Sequence, residues 1–239
     1  VAGRVGLGVL AWVGGLGIVA LAAHPESCPA VTPATATAAA QAAVTWIAVN
    51  QEPDGAFLYR YDRDAGEDLG GYNVVRHAGT LVALEQGAAL GLDDAAAAAD
   101  LARAWATDHL TELSGDRAAL TADTGASALL VAALVEHRRA TGSTDGDDQL
   151  RALGRFLAAT VTDEGAVVAT WDLDADEPVA GSRSPFFTGE AHWALARLHA
   201  EFPDEGWDRP ARRVSRYLAT ERDDAERRMP PVSDHWAAY

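Results

Sequence analysis

Apolar residues recur along most of this chain at helical spacing, and longer polar inserts interrupt them at regular intervals. The spacing predicts outer helices over 36–50, 94–112, 147–161 and 208–221. It predicts inner helices over 74–90, 123–141 and 188–201, with another starting near Asp234. Leu150, Leu153, Phe156 and Leu157 fall on one face of the third outer helix, and Val214, Tyr217 and Leu218 do so on the fourth. The run Ala95–Ala99 carries no periodicity of its own. Each outer helix pairs with the inner helix after it as an antiparallel hairpin, and Gly91, Gly142 and Gly206 mark the turns between one hairpin and the next.

Within each hairpin lies a polar insert, at 51–73, 113–122, 162–187 and 222–233. Two of these inserts are copies of one pattern. Asp54-Gly55-Ala56-Phe57-Leu58-Tyr59-Arg60-Tyr61-Asp62 recurs as Glu164-Gly165-Ala166-Val167-Val168-Ala169-Thr170-Trp171-Asp172. A lone helical hairpin cannot bury its apolar face, so a repeated hairpin implies a stacked, all-α array. Phe57–Tyr61 and Val167–Trp171 are rich enough in aromatic and β-branched residues to form short strands in the inserts. In such an array the starts of the inner helices gather at one end, which is where polar residues distant in sequence can meet.

Composition narrows the function. The 239 residues are 49% hydrophobic, enough for a sizeable core. The net charge is -16, from 35 acidic residues against 19 basic ones, all arginine, and the basic stripe that nucleic acid would need is not visible. The single cysteine, Cys28, excludes an intrachain disulfide and a cysteine-rich zinc site. Pro25-Glu26-Ser27 before it do not make a lipobox. Zinc-helix, phosphate-loop, dinucleotide and nucleophile-elbow motifs are all absent, so neither a metal nor a cofactor is expected.

Residues 5–23 form an uninterrupted apolar stretch behind Arg4, followed by His24, Pro25 and Glu26. The stretch reads as a cleaved export signal, with Ala20-Leu21-Ala22 as a small-x-small cleavage pattern, or as a retained membrane anchor, in preference to a buried helix of a soluble domain. Its glycines weaken it as a helix. Residues 1–24 are therefore assigned to this signal or anchor, 25–35 to a linker and 36–239 to the folded domain. Signal and anchor alike place the domain outside the cytoplasm.

Candidate chemistry concentrates at the starts of the inner helices. Tyr72-Asn73-Val74-Val75-Arg76-His77-Ala78-Gly79 puts Asn73, Arg76 and His77 on one helical face, Arg76 as an anion clamp and His77 as an acid or base. The competing reading makes Arg76 a salt-bridge partner and His77 a satisfied core residue. In the third hairpin, Glu190 of Thr188-Gly189-Glu190 is a candidate catalytic carboxylate or a residue that suits a helix N-terminus. In the fourth, Asp234-His235-Trp236 offers a carboxylate beside aromatic rings, or a cap beside a packing residue. Asp123 in the second hairpin reads as a cap. Asp54 and Tyr61 join the substrate-binding set, although Asp54-Gly55 also reads as a turn.

Tyr59-x-Tyr61-Asp62, Tyr72-Asn73-x-x-Arg76-His77-Ala78-Gly79, Gly189-Glu190-Ala191 and Asp234-His235-Trp236, spread over residues 40–239, resemble the α/α-toroid proteins. The likeness is to the six-hairpin glycosidase and N-acylglucosamine 2-epimerase-like group. It implies an all-α, incomplete α/α toroid of about three and a half hairpins with short β-hairpin inserts, preceded by the apolar N-terminal helix. It also implies an active site at the inner-helix N-termini. Closed toroids of this kind have about six hairpins, so the natural protein is expected to continue. Gln51-x-x-Asp54-Gly55-x-Phe57 is similar to the QW repeat of terpene cyclases, but the aspartate-rich acid motif of those enzymes is absent.

The expected function is a carbohydrate-active enzyme, exported or anchored, acting on an anionic glycan or sugar derivative. Glu190 and Asp234 would be the carboxylate pair and His77 a supporting acid or base. Tyr72, Asn73, Arg76, His235, Trp236, Tyr61 and Asp54 would bind substrate. Two alternatives stay open: a sugar epimerase or lyase using His77 as base, and a non-catalytic toroid that binds an envelope glycan or a protein.

Overall fold

The computed structural model describes residues 2–23, 30–226 and 234–239. Cys28, the His24–Glu26 flank and Ser233 lie outside the described residues. The chain forms two compact units, Val1–Thr37 and Ala38–Tyr239.

The first unit holds helix α1 (Ala2–Ala22) and the start of α2 (Pro33–Val49). On α1, Trp12, Val13, Leu16, Ile18 and Val19 are exposed. No helix among the described residues is long and apolar enough to cross a membrane. Helix α2 begins inside the stretch read as a linker. Thr32 and Thr35 cap it reciprocally, the Thr35 N–H donating to Thr32 Oγ1 (3.2 Å) and the Thr32 N–H to Thr35 Oγ1 (2.9 Å), and Pro33 suits a first helical position.

The second unit is all-α apart from three short antiparallel strand pairs. In chain order the elements are β1 (Tyr61–Asp62), β2 (Glu67–Asp68), α3 (Val74–Ala89), α4 (Ala95–Asp108), β3 (Thr111–Leu113) and β4 (Arg117–Ala119). Then come α5 (Thr124–Thr141), α6 (Asp147–Thr160), β5 (Trp171–Asp172), β6 (Glu177–Pro178), α7 (Phe187–Glu201), α8 (Asp208–Thr220) and α9 (Arg222–Ala225). A 3-10 turn at His235–Ala238 stands where the fourth inner helix was expected to start. This is the incomplete α/α toroid: α3, α5 and α7 pack side by side as the inner wall, each against the outer helix that follows it.

Helix α5 is buried from Thr124 through Val135 because it stands between α3 and α7 with α6 behind it. Six of those twelve residues are small, which lets three helices approach it at once. The alanine run of α4 works likewise. Ala95, Ala98, Ala99 and Ala102 are buried, and a β-carbon on Gly87 of α3 would stand 3.3 Å from the Ala95 β-carbon.

The inserts differ from expectation in their strands. Phe57 and Val167 make only isolated bridges, to Gln51 and Val161, and the ladders begin at Tyr61 and Trp171. The end of the predicted helix 94–112 turns instead into β3, because His109 Nδ1 closes α4 by bonding the Trp105 carbonyl (2.7 Å).

The repeated insert has a structural cause. Gly55 and Gly165 hold φ of +96° and +94°, and a β-carbon on either would overlap an outer-helix carbonyl, that of Leu101 for the first and Arg213 for the second. Each glycine thus docks an insert onto the outer helix of the next hairpin, where a side chain would be both strained and in collision.

Candidate functional site

The predicted residues form two clusters at the same end of the inner wall. At α3, Asn73 Oδ1 caps the helix by accepting the Arg76 N–H (2.8 Å). The Tyr72 hydroxyl accepts the Phe57 N–H (3.0 Å) and therefore donates to His77 Nδ1 (2.7 Å), which leaves His77 Nε2–H to donate to the Ala102 carbonyl (2.9 Å). Both ring nitrogens of His77 are engaged, and the ring packs 4.3 Å from that of Trp105. Burial pushes the His77 imidazole down to about 4, against the smaller opposing pull of the Ala102 carbonyl. The neutral ring is a core member lying between α3 and α4.

Arg76 is exposed, its guanidinium 5.3 Å from the centre of the Tyr59 ring. With Tyr72 and Asn73 it borders a cavity of about 140 Å³. Tyr61 is exposed on β1, and Asp54 Oδ1 accepts the Ala56 N–H (2.9 Å), an Asx turn that sets up the docked Gly55.

The second cluster holds Glu190 and Asp234. Glu190 lies in the first turn of α7, but its carboxyl reaches back to the first turn of α5, where a β-carbon on Gly125 would overlap Oε2 and the Phe187 ring. The residue is 3% exposed and Oε2 has no hydrogen-bond partner. Burial first, and the Asp234 carboxylate second, push the Glu190 carboxyl up to about 8, so it carries its proton at neutral pH.

Asp234 does not cap its own turn. It caps α7 instead, Oδ2 accepting the Gly189 N–H (3.0 Å) and an ion pair from Arg222 Nη1 (2.7 Å), while Oδ1 is buried without a partner. Arg222 also holds the Pro185 carbonyl (2.7 Å), which fixes the end of the 162–187 insert. Trp236 stacks on Trp193 (5.5 Å, 26°), and the exposed His235 lies 6.0 Å from the Phe186 ring.

The structure brings Glu190, Asp234, His235 and Trp236 together. It keeps Arg76, His77, Tyr72, Asn73, Tyr61 and Asp54 apart from them, because α5 packs between α3 and α7 and two inner-helix spacings come to roughly 16–20 Å. Asp123, expected as a cap, makes no capping bond. The start of α5 is held by Thr124, whose N–H and Oγ1 donate to the Ala169 (3.0 Å) and Val168 (2.6 Å) carbonyls.

Arg222, Gly125 and Gly189 escaped the sequence reading as site residues. The signal for the glycines was present in the matching dipeptides Thr124-Gly125 and Thr188-Gly189. Each glycine receives the first turn of the next inner element, Phe187 and Glu190 on Gly125, Asp234 and Ala237 on Gly189. Nothing local marks Arg222.

Among solved structures the chain is similar to a crystal structure of D-mannose isomerase, with a TM-score of 0.63 and 16% identity over 77% of this chain and 53% of that one. The likeness is one of fold, and the chain spans about half the isomerase's length. No protein-family model and no curated protein matches the chain.

Proposed function

We propose that the protein is a sugar-processing enzyme, glycosidase-like in mechanism, whose proton-transfer pair is Glu190 and Asp234. The observation that carries this reading is the contrast between two buried neighbours. Glu190 has no donor and holds its proton, whereas Asp234 is ion-paired with Arg222 and capped by a backbone N–H. A carboxyl that holds its proton beside one that is ion-paired divides the roles of acid and base. Glu190 would protonate the leaving glycosidic oxygen, and Asp234 would stabilise the positive charge at the sugar carbon or orient the attacking water. Glu190 Oε2 and Asp234 Oδ1 are buried without partners and so have hydrogen-bonding capacity that sugar hydroxyls would satisfy, with Trp236 as a stacking surface.

Arg76, exposed above Tyr59, would hold an acidic group some distance along an anionic glycan. Export or anchoring belongs to the same proposal and rests on the apolar run 5–23. His77, with both nitrogens engaged, serves this reading as a structural residue.

A non-catalytic toroid is the second reading, favoured by the fact that Asp234 also serves as a helix cap. Screening aryl glycosides and uronate oligosaccharides with the protein and its E190Q and D234N variants separates the two. Turnover lost in E190Q with binding retained supports the enzyme. Turnover unaffected by either substitution, or binding without turnover in the parent, sinks the proposed pair.

A further inference from the structure

The chain carries a net charge of -16, yet one outer helix presents the opposite sign. Helix α8 buries Pro210, Ala211, Val214 and Tyr217 in the core and turns Arg209, Arg212 and Arg216 outward, with Arg213 half-buried beside them. Spacings of three and four residues place these guanidinium groups along one stripe about 10 Å long. Arg212 meets Asp208 at 3.4 Å and Arg213 meets Asp163 at 3.7 Å, and Arg209 and Arg216 have no ion pair among the described residues.

Elsewhere on the outer ring, α4 and α6 enclose a groove of two halves, about 470 and 600 Å³, that meet where Gln149 Nε2 donates to Thr107 Oγ1 (3.3 Å). Three of the arginines lining it are ion-paired, Arg103 with Glu85 and Asp100, Arg138 with Asp147 and Glu201, and Arg117 with Asp176, while Arg155 donates to the Asp116 carbonyl and keeps its charge against the larger number of carboxylates. Asp108, Glu112 and Asp145 on its walls have no ion pair among the described residues, and the exposed Asp148 has only a 3.4 Å contact with Arg151. The groove therefore keeps an unneutralised negative charge.

We propose that α8 of one copy docks over the α4–α6 groove of a second copy. Charge complementarity selects this occupant, since both halves of the contact stand on one chain. A lipid surface fits less well. The apolar side of α8 is used in the core, leaving nothing to insert. The two patches differ, so the contact is head-to-tail, and each copy keeps a free patch for the next. Exposed ion pairs are individually weak and screened, so the association is salt-sensitive.

Sedimentation equilibrium of the full chain tests this. Association is expected at low ionic strength, with the dissociation constant rising tenfold or more between about 50 and 500 mM salt. R209E/R212E/R216E and D108R/E112R/D148R are each expected to be monomeric while folded by circular dichroism, and an equimolar mixture of the two is expected to associate again. A parent that stays monomeric at low salt overturns the proposal. So does association unchanged in both variants, a mixture that fails to associate, or a stripe whose reversal abolishes only sedimentation with phosphatidylserine vesicles.

Discussion

The carboxyl of Glu190 occupies the space that a side chain at Gly125 would need. The glycine in the first turn of one inner helix and the acid in the first turn of the next are thus a single packing unit, repeated one hairpin later by Gly189 and Asp234.

Replacing Gly125 by alanine should destabilise the fold by about 2–4 kcal/mol, since its β-carbon would collide with both Glu190 and the ring of Phe187. The double variant G125A/E190A should recover only part of this, because Phe187 stays. Urea denaturation of the three proteins measures it, and a neutral G125A would show that the carboxyl does not sit there.

Glu190 also makes stability fall as pH rises. Below pH 4.5 both folded and unfolded chains hold this proton, and between 4.5 and about 8 only the folded one does, so folding is progressively penalised across that window. The penalty approaches about 5 kcal/mol at most, taking 1.36 kcal/mol per unit. E190Q should therefore gain stability relative to the parent as pH climbs from 5 to about 8 and level off above it. Parallel melting curves at every pH would refute the buried, protonated acid.

His77 acts at the other end of the scale. Above pH 6.5 the imidazole is neutral in both states; between 6.5 and about 4 the unfolded chain takes up a proton that the folded chain refuses. Stability is lost as pH falls through that window, by up to about 3 kcal/mol. H77Q should be less stable at pH 7 by about 1–3 kcal/mol, through the unpaired Tyr72 and Ala102 groups, and should show a shallower acid limb. Chemical denaturation at pH 7, 5.5 and 4.5 reads both effects.

The insert glycines differ from the turn glycines in a measurable way. G55A and G165A combine a left-handed backbone with an overlap against an outer-helix carbonyl and should each cost about 2–4 kcal/mol. Gly91 has a φ of +72° but open space around it, so G91A should cost only about 1 kcal/mol. Equal losses at all three positions would mean that the inserts do not dock on the outer helices.

The order and pairing of the helices are written in local features of the chain. The 3.6-residue periodicity and the turn glycines are local signals, and they placed α3, α5, α6, α7 and α8 within one residue or so of where they lie. The copied Asp-Gly and Glu-Gly inserts likewise announced a repeat, because the left-handed turn is a property of the glycine. Which polar residues meet was decided only in three dimensions. Arg76, His77, Glu190 and Asp234 all stand at inner-helix starts, and the sequence treats those positions as equivalent. Packing does not. With α5 inserted between α3 and α7, His77 turns toward the outer helix and is consumed by Tyr72 and Ala102, while Glu190 is pressed against Gly125 without a donor. Nothing near Arg222 in the chain marks it, since its partners Pro185 and Asp234 lie 37 and 12 residues away and only folding brings them to one guanidinium. Helix formation depends on neighbours three and four residues apart, whereas burial, and with it the charge state of a carboxyl, depends on whatever the fold lays across it.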